Sequence, residues 1–192
     1  MARPATQILS NHDRTLEWAR QVAIVVGASL FVAICARVTL PLPFTPVPLT
    51  LQNFGVLLVG MTLGSRRAFA ALALYLIEGV SGMPVFNPAG QGGILQVLGA
   101  TGGFLMAYPF VAWLAGWVME RGKKTFSRAL TAGLLAEILL FAGGLSWLAV
   151  ITHSFSMAVR FGLYWFVFAE IIKIMFAAGI AAGWERAYKA NA

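Results

Sequence analysis

Charged residues are scarce in this chain. Only 11% of its 192 residues are charged and 59% are hydrophobic, whereas roughly 25% of the residues in a soluble domain are charged. Seven acidic residues and fourteen lysines and arginines are too few to cover the surface that a soluble protein of this length exposes. This scarcity excludes an ordinary soluble domain, and it indicates an all-α integral membrane protein with lipid as its solvent.

Residues that build metal and catalytic centres are also few. The single cysteine, Cys35, excludes an intrachain disulfide and a cysteine-based metal cluster. The two histidines, His12 and His153, are far apart in expected loops, so we expect no metal site and no cofactor. The chain lacks the phosphate-binding GxxxxGK[ST] motif and the GxSxG nucleophile motif. Uphill movement of a solute would therefore need energy from a partner or an ion gradient.

The basic residues give a net charge of +7. They form short clusters between apolar runs, as in the loops of membrane proteins, and no single patch suits nucleic acid. We therefore expect a lipid bilayer and no nucleic acid as a partner. The charged and apolar residues at 14–36 resemble a secretion signal but lack a convincing cleavage site, so we interpret them as part of a retained first helix.

Apolar runs broken by proline, glycine and charge predict six membrane-spanning helices. The expected spans are residues 18–38, 49–63, 68–80, a fourth that begins within 85–103 and ends near 119, then 129–151 and 158–184. The second and third are short, which leaves five or seven spans open. We expect one membrane domain over residues 1–192, with an N-terminal segment at 1–17, a six-helix bundle at 18–187 and a tail at 188–192.

The orientation follows from the distribution of positive charge. With six spans, both termini lie on the same side as the second and fourth loops. That side holds 11 of the 14 basic residues: Arg3, Arg14, Arg20, Arg66, Arg67, Arg121, Lys123, Lys124, Arg128, Arg186 and Lys189. Because positive residues concentrate in cytoplasmic loops, we expect both termini in the cytoplasm and the proline-rich and glycine-rich loops outside.

Ionisable residues inside apolar spans are costly and are functional candidates by default. Glu170 and Lys173 lie three positions apart on the sixth span, so they share a helix face. They form either an ion pair that holds helices together or polar anchors for a ligand, and their position toward the outer loops favours anchors. Glu78 is expected to be structural. Glu137 stays unassigned between a helix contact and a gate.

The irregular segment FNPAGQGG, at 86–93, has the composition of a cavity wall. Non-helical backbone at membrane depth is tolerated where protein or water surrounds it. Asn87 and Gln91 could bind a polar ligand there, or could be turn residues only. Gln52 and Tyr75 add further hydrogen-bonding groups at the starts and centres of nearby spans.

Small residues recur at four-residue spacing on the first helix. Ala19, Ala23 and Gly27 form one stripe, and Ser29 and Ala33 form another. Such stripes let helices approach closely in lipid. They serve either packing inside this chain or docking against another membrane subunit.

The proline-rich segment LPLPFTPVPLTLQ, at 40–52, closely resembles the first-loop signature of the BioY family. Members of this family are the biotin-specific S-components, or substrate-binding subunits, of energy-coupling factor (ECF) transporters. The resemblance continues through GMPVF at 82–86 and GATGGF at 99–104, and it covers residues 18–187 in the same order and spacing.

The resemblance implies a six-helix S-component fold in the bacterial cytoplasmic membrane that captures biotin near its outer face. It implies that the first loop closes over the vitamin through Pro43, Phe44, Thr45, Pro46, Val47 and Pro48. It also implies docking, through the small residues of the first helix, to a transmembrane coupling subunit that carries two ATPases. The chain itself would not be an enzyme.

The same resemblance assigns the biotin contacts to Glu170, Lys173, Asn87 and Tyr75, and Gln52 and Gln91 are our further candidates. We expect Glu170 to accept from a ureido N–H, Lys173 to act as a charged donor and Asn87 to use both ends of its amide. The family usually has aspartate in place of Glu170 and proline in place of Ala100. Two alternatives remain: a transporter of another water-soluble vitamin, and a membrane enzyme or structural subunit.

Overall fold

Helices dominate the structure, a computed structural model that describes the backbone of residues 5–190 and the side chains of residues 14–184. The helices are α1 Ala5–Arg37, α2 Gln52–Leu63, α3 Ser65–Val80, α4 Gly93–Leu98, α5 Gly102–Glu120, α6 Phe126–Thr152, α7 Phe155–Gly162 and α8 Val167–Ala190. Two short strands, β1 Thr39–Leu40 and β2 Leu49–Thr50, lie between α1 and α2. Outside the described residues lie both ends of the chain, Arg3, and the side chains of His12, Arg186 and Lys189.

Four of the described helices are long and apolar enough to cross a membrane. They correspond to Arg14–Arg37, Gly102–Glu120, Phe126–Thr152 and Val167–Trp184. The helix α2 is apolar but has 12 residues, and α3 has 16, against about 20 for a full span. The described residues therefore form a largely helical protein with the composition of a membrane protein.

The first helix extends further toward the N-terminus than the sequence predicts. We expected a boundary near residue 18, but α1 is continuous from Ala5 to Arg37. Neither proline nor glycine occurs between residues 5 and 26, so nothing local interrupts the helix where the apolar run begins. The boundary at residue 18 marks a change of hydropathy and not a change of secondary structure.

The last expected span is two helices, so the prediction of one continuous helix over 158–184 is wrong. The helix α6 ends at Thr152, and His153 after it has a left-handed φ of 51°. The Ser154 side chain then caps α7 by accepting from Met157 N over 3.3 Å. The helix α7 ends at Gly162, and α8 begins at Val167. Hydropathy does not reveal this break, because the turn at 163–166 is itself rich in apolar and aromatic residues.

The helix α5 lies at the centre of the bundle and packs against α2, α3 and α6. Small residues make these contacts close. A Cβ atom at Gly60 of α2 would lie 2.6 Å from the carbonyl oxygen of Ala112 on α5, and one at Gly103 would lie 2.6 Å from the carbonyl oxygen of Gly143 on α6. Close approach through small residues compensates for the weak hydrophobic drive between helices in lipid.

The connection between α1 and α2 is tied at its base by a small antiparallel hairpin. Thr39 pairs with Thr50, and Leu40 pairs with Leu49. The prolines between the two strands remove backbone donors and keep this segment out of helix. The hairpin therefore presents residues 41–48 as a loop at one end of the bundle, where it reaches α7 and the α7–α8 turn.

Candidate ligand-binding site

A cavity opens beneath this loop at the same end of the bundle, and residues from the loop and from α2, α5, α6 and α8 line it. The polar lining residues are Thr50, Gln52, Asn53, Asn87, Thr101, Glu137, Glu170 and Lys173. The apolar and aromatic ones are Val47, Pro48, Phe104, Leu105, Tyr108, Leu140, Phe141 and Phe166.

A buried ion pair lies in the wall of the cavity. Lys173 Nζ is 2.6 Å from Glu170 Oε1, and the two side chains are only 9% and 7% exposed. Both residues lie on one face of α8, three positions apart, as the sequence predicts. Because a buried charge is costly unless it is paired, each of these side chains depends on the other.

Asn53 of α2 connects this ion pair to a second carboxylate. Its amide nitrogen donates to Glu170 Oε2 over 2.8 Å and to Glu137 Oε2 over 2.9 Å. One amide thereby joins α2, α6 and α8 around the cavity. Sequence reasoning did not single out Asn53 and left Glu137 unassigned, although a polar side chain in each apolar run was the available signal.

Several buried polar atoms at the site have no hydrogen-bond partner among the described residues. They are Asn53 Oδ1, Asn87 Oδ1, Glu137 Oε1 and Gln96 Nε2. Buried polar groups in folded proteins are nearly always satisfied by protein, water or a ligand. Since three of these four atoms are acceptors, the site is suited to a ligand that presents N–H or O–H donors.

Tyr75 lies behind the cavity and does not line it. Gln52 Nε2 donates to the Tyr75 hydroxyl over 2.9 Å, and this hydroxyl donates to the carbonyl oxygen of Val85 over 2.9 Å. Gln52 does line the cavity. The tyrosine therefore holds Gln52 and the chain that leads to Asn87, and it has no direct path to a ligand in this cavity.

Asn87 lies where the cavity meets a shallower depression, which we call the vestibule. The vestibule is lined by Asn87 and Thr101 together with Pro46, Pro48, Ala89, Gly90, Gln91, Leu95, Gln96, Gly99 and Ala100. Asn87 is buried, whereas Gln91 is exposed and lines the vestibule only. The structure thus brings Asn87 together with Glu170 and Lys173 around one cavity and leaves Gln91 at its entrance.

The proline-rich loop covers the cavity. Val47 and Pro48 contribute to its lining, and Pro46 borders the vestibule. Two contacts fasten the loop to the opposite side. The Thr45 hydroxyl donates to the carbonyl oxygen of Phe161 over 2.6 Å, and the Phe44 ring lies 4.3 Å from the Trp165 ring, centroid to centroid. Pro43 is exposed at the outer edge.

The two small-residue stripes of α1 have different surroundings. Ala19, Ala23 and Gly27 are exposed, and a Cβ atom at Gly27 would touch nothing. Ser29 and Ala33 are instead buried within this chain. The Ser29 hydroxyl donates to Glu78, which gives that glutamate a structural contact. The second stripe therefore packs inside the chain, and only the first is available to another protein.

Metal ligands do not cluster in the part of the chain that the structure describes. Within it, no group of three or more His, Cys, Asp or Glu side chains is arranged to hold a metal ion. The two glutamates of the cavity are joined to Asn53 and Lys173. The chemistry that these residues support is the recognition of a polar ligand.

The family model and the relatives found by comparison with known proteins agree on one family. Residues 5–190 match the model of the BioY family. The chain is 36% identical over 151 residues to the biotin transporter BioY2 of Lactococcus lactis. This alignment covers 78% of this chain and 81% of the relative. It is 38% identical over 165 residues to a probable biotin transporter BioY of Pyrococcus horikoshii, with 85% and 94% covered.

A solved structure has the same fold. The crystal structure of the S-component for biotin from an ECF-type ABC transporter superposes with a TM-score of 0.77 at 22% sequence identity. The superposition covers 98% of this chain and 95% of the other. The chain therefore shares its overall fold with that structure.

Proposed function

The chain belongs to the BioY family, and we propose that it captures biotin for import as the substrate-binding subunit of an ECF transporter. One observation carries the proposal: a buried acid–lysine pair, joined by the Asn53 amide to a second glutamate, lines a cavity at one end of the bundle. Relatives whose printed names are those of biotin transporters support the same ligand. A transporter family also argues against the alternative of a membrane enzyme.

The proposed ligand suits the lining of the cavity. Biotin has a ureido group with two N–H donors and one carbonyl, an apolar thioether ring and a valerate tail. We assign Glu170 as an acceptor for a ureido N–H, Lys173 as the charged donor and Asn87 as an amide that can donate and accept. The aromatic side chains of Phe104 and Phe141 suit the rings, as apolar walls do in most small-molecule sites.

The remaining candidates have supporting roles in the proposal. Gln52 reaches the cavity with its amide oriented by Tyr75. Gln91 borders the vestibule, where the tail of a bound ligand would emerge. Residues 43–48 act as the cover, with Val47 and Pro48 against the ligand. The longer side chain of Glu170, compared with the aspartate usual in the family, still reaches both Lys173 and Asn53.

We further propose that the chain is one domain over residues 1–192, with a bundle of six membrane crossings at 18–187 and both termini in the cytoplasm. In this arrangement α1, α2, α3, α5, α6 and α8 cross in alternating directions. Two contacts between Ser65 and Glu120, each 2.7 Å long, support it, because they join the α2–α3 turn to the end of α5. That end carries the basic clusters at 66–67 and 121–128.

The exposed stripe Ala19, Ala23 and Gly27 is proposed to dock against a transmembrane coupling subunit associated with two ATPases. Exposed small residues on an apolar helix support this role, since they allow another helix to approach closely. The absence of a phosphate-binding motif in the sequence is consistent with an external source of energy. The location that follows is the bacterial cytoplasmic membrane.

Binding by the purified protein in detergent tests the proposal. Calorimetry should show tight binding of biotin and none of thiamine or riboflavin. Lys173→Ala should weaken biotin binding by about tenfold or more, because it removes a charged donor and leaves Glu170 buried and unpaired. Lys123→Ala, at an exposed position outside the cavity, is the matched control.

The outcomes separate the alternatives. Selective binding of thiamine or riboflavin by the folded wild-type chain would identify an S-component for another vitamin. Folded protein that binds none of the three would contradict the proposed capture of biotin. Unchanged affinity in Lys173→Ala would remove this lysine from the site while leaving the ligand itself established.

A further inference from the structure

Glu137 has a buried carboxylate oxygen that the described part of the chain leaves without a partner. The side chain is 6% exposed, and it lines the same cavity as Glu170 and Lys173. Its Oε2 accepts from Asn53 over 2.9 Å, but its Oε1 has no donor. Leaving a buried acceptor unsatisfied costs as much as a lost hydrogen bond, so this atom needs a partner that enters the cavity.

The other carboxylate oxygens of the site are already engaged. Glu170 Oε1 accepts from Lys173 over 2.6 Å, and Glu170 Oε2 accepts from Asn53 over 2.8 Å. Of the four carboxylate oxygens on these two glutamates, Glu137 Oε1 alone is free of such a contact among the described residues. A ligand that brings two N–H donors therefore finds its least occupied acceptor on Glu137 and not on Glu170.

We propose that Glu137 is a ligand-contacting residue whose Oε1 accepts one N–H of the bound molecule, while Glu170 accepts the other. This inference rests on the proposed function, because biotin supplies two N–H groups on one rigid ring. Glu137 then contributes to specificity: a ligand with only one such donor would leave a buried carboxylate oxygen unsatisfied. Recognition by two acidic side chains from different helices, α6 and α8, follows from the geometry.

Asn53 fixes the orientation of the Glu137 carboxylate. Both of its contacts to the glutamates use the amide nitrogen as donor. If the Asn53 amide turned over, its oxygen would face two carboxylate oxygens, so this orientation is locked. In Glu137→Gln the new amide must therefore give its oxygen to Asn53 and turn its NH₂ group toward the ligand. The NH₂ group of the glutamine would then face the N–H of the ligand, so two donors would meet where the wild type offers an acceptor.

The test measures biotin and two analogues in which one or the other ureido N–H is replaced by a ring oxygen. Glu137→Gln should weaken biotin binding by about tenfold or more. It should weaken the binding of one analogue far less, since that analogue lacks the N–H group from which Glu137 accepts a hydrogen bond. Glu78→Gln is the matched control, because Glu78 contacts Ser29 outside the cavity.

A structural role for Glu137 would reduce the binding of all three ligands in parallel. That result, or unchanged biotin affinity in Glu137→Gln, would overturn the inference. If Glu137→Gln fails to fold, Glu137→Met gives the same comparison, since it also removes the acceptor. Failure of the wild-type protein to bind biotin would instead contradict the proposed function, so the two hypotheses fail in different measurements.

Discussion

The hydroxyl of Tyr75 is engaged on both sides. It accepts from Gln52 and donates to the carbonyl oxygen of Val85, and the residue is 1% exposed. A side chain used in this way stabilises the wall of a site and does not bind the ligand itself. The resemblance to the BioY family predicts that Tyr75 contacts biotin directly, whereas its hydrogen bonds indicate a structural role. These two roles predict different effects of a mutation at Tyr75.

Tyr75→Phe should lower stability more than it lowers ligand affinity. Loss of the hydroxyl leaves Gln52 Nε2 and the Val85 carbonyl without their partner, at a cost of about 1–3 kcal/mol in the free energy of unfolding. Thermal unfolding and biotin calorimetry on the same preparation measure both effects. Tyr164→Phe, at a residue that is 71% exposed, is the control. A loss of affinity as large as that of Lys173→Ala, with unchanged stability, would restore Tyr75 as a direct contact.

Sequence reasoning found the local half of the candidate site. Glu170 and Lys173 could be paired from their three-residue spacing on one helix. Asn53 could not be paired with Glu137 or Glu170, because they are 84 and 117 positions away along the chain. Helix periodicity specifies neighbours within a few residues, whereas contacts across helices depend on rotation and packing that a single sequence does not state.

At the scale of elements, the break between α7 and α8 makes the loop contact possible. Because the helical hydrogen bonds of α7 end near Gly162, the carbonyl of Phe161 is available to the Thr45 hydroxyl. A continuous helix over this segment would use that carbonyl internally. The six apolar runs were visible in the sequence, but this interruption was not, since no proline or charged residue lies between Gly162 and Val167 to mark it.

Thr45→Val should accelerate the release of bound biotin. Valine keeps the size and β-branching of threonine, but it can neither donate to the Phe161 carbonyl nor accept from Val47 N. The cover therefore loses one of its two fastenings and one hydrogen bond within the loop. We expect dissociation to become at least several-fold faster, since each lost hydrogen bond corresponds to about 1 kcal/mol, with a smaller change in the association rate. Stopped-flow measurements with a competing ligand give both rates.

The control for this prediction is Thr131→Val. Thr131 is exposed on α6, and its hydroxyl bonds only to the carbonyl of Ser127 in the same helix. It should therefore leave both rates unchanged. If Thr45→Val also has wild-type rates, the loop is not held closed by this hydrogen bond.

At the scale of the whole molecule, the two ends of the bundle have different compositions. One end has the cavity, the vestibule and the proline-rich cover. At the other end Glu120 accepts from the backbone and side chain of Ser65, beside the basic pair Arg66 and Arg67. An importer must receive its ligand from outside, and positive residues favour the cytoplasm, so function and charge predict the same orientation independently.

Labelling of single cysteines on intact cells tests this orientation. Cys35 is the chain's single cysteine and is buried, so Cys35→Ala gives a suitable background. Gln91 and Arg66 are both exposed, and they lie at opposite ends of the bundle. We expect a membrane-impermeant maleimide to label Gln91→Cys on intact cells and Arg66→Cys only after permeabilisation. The reverse pattern would place the cavity on the cytoplasmic side, and labelling of both on intact cells would contradict the single crossing by α3 that separates Arg66 from Gln91.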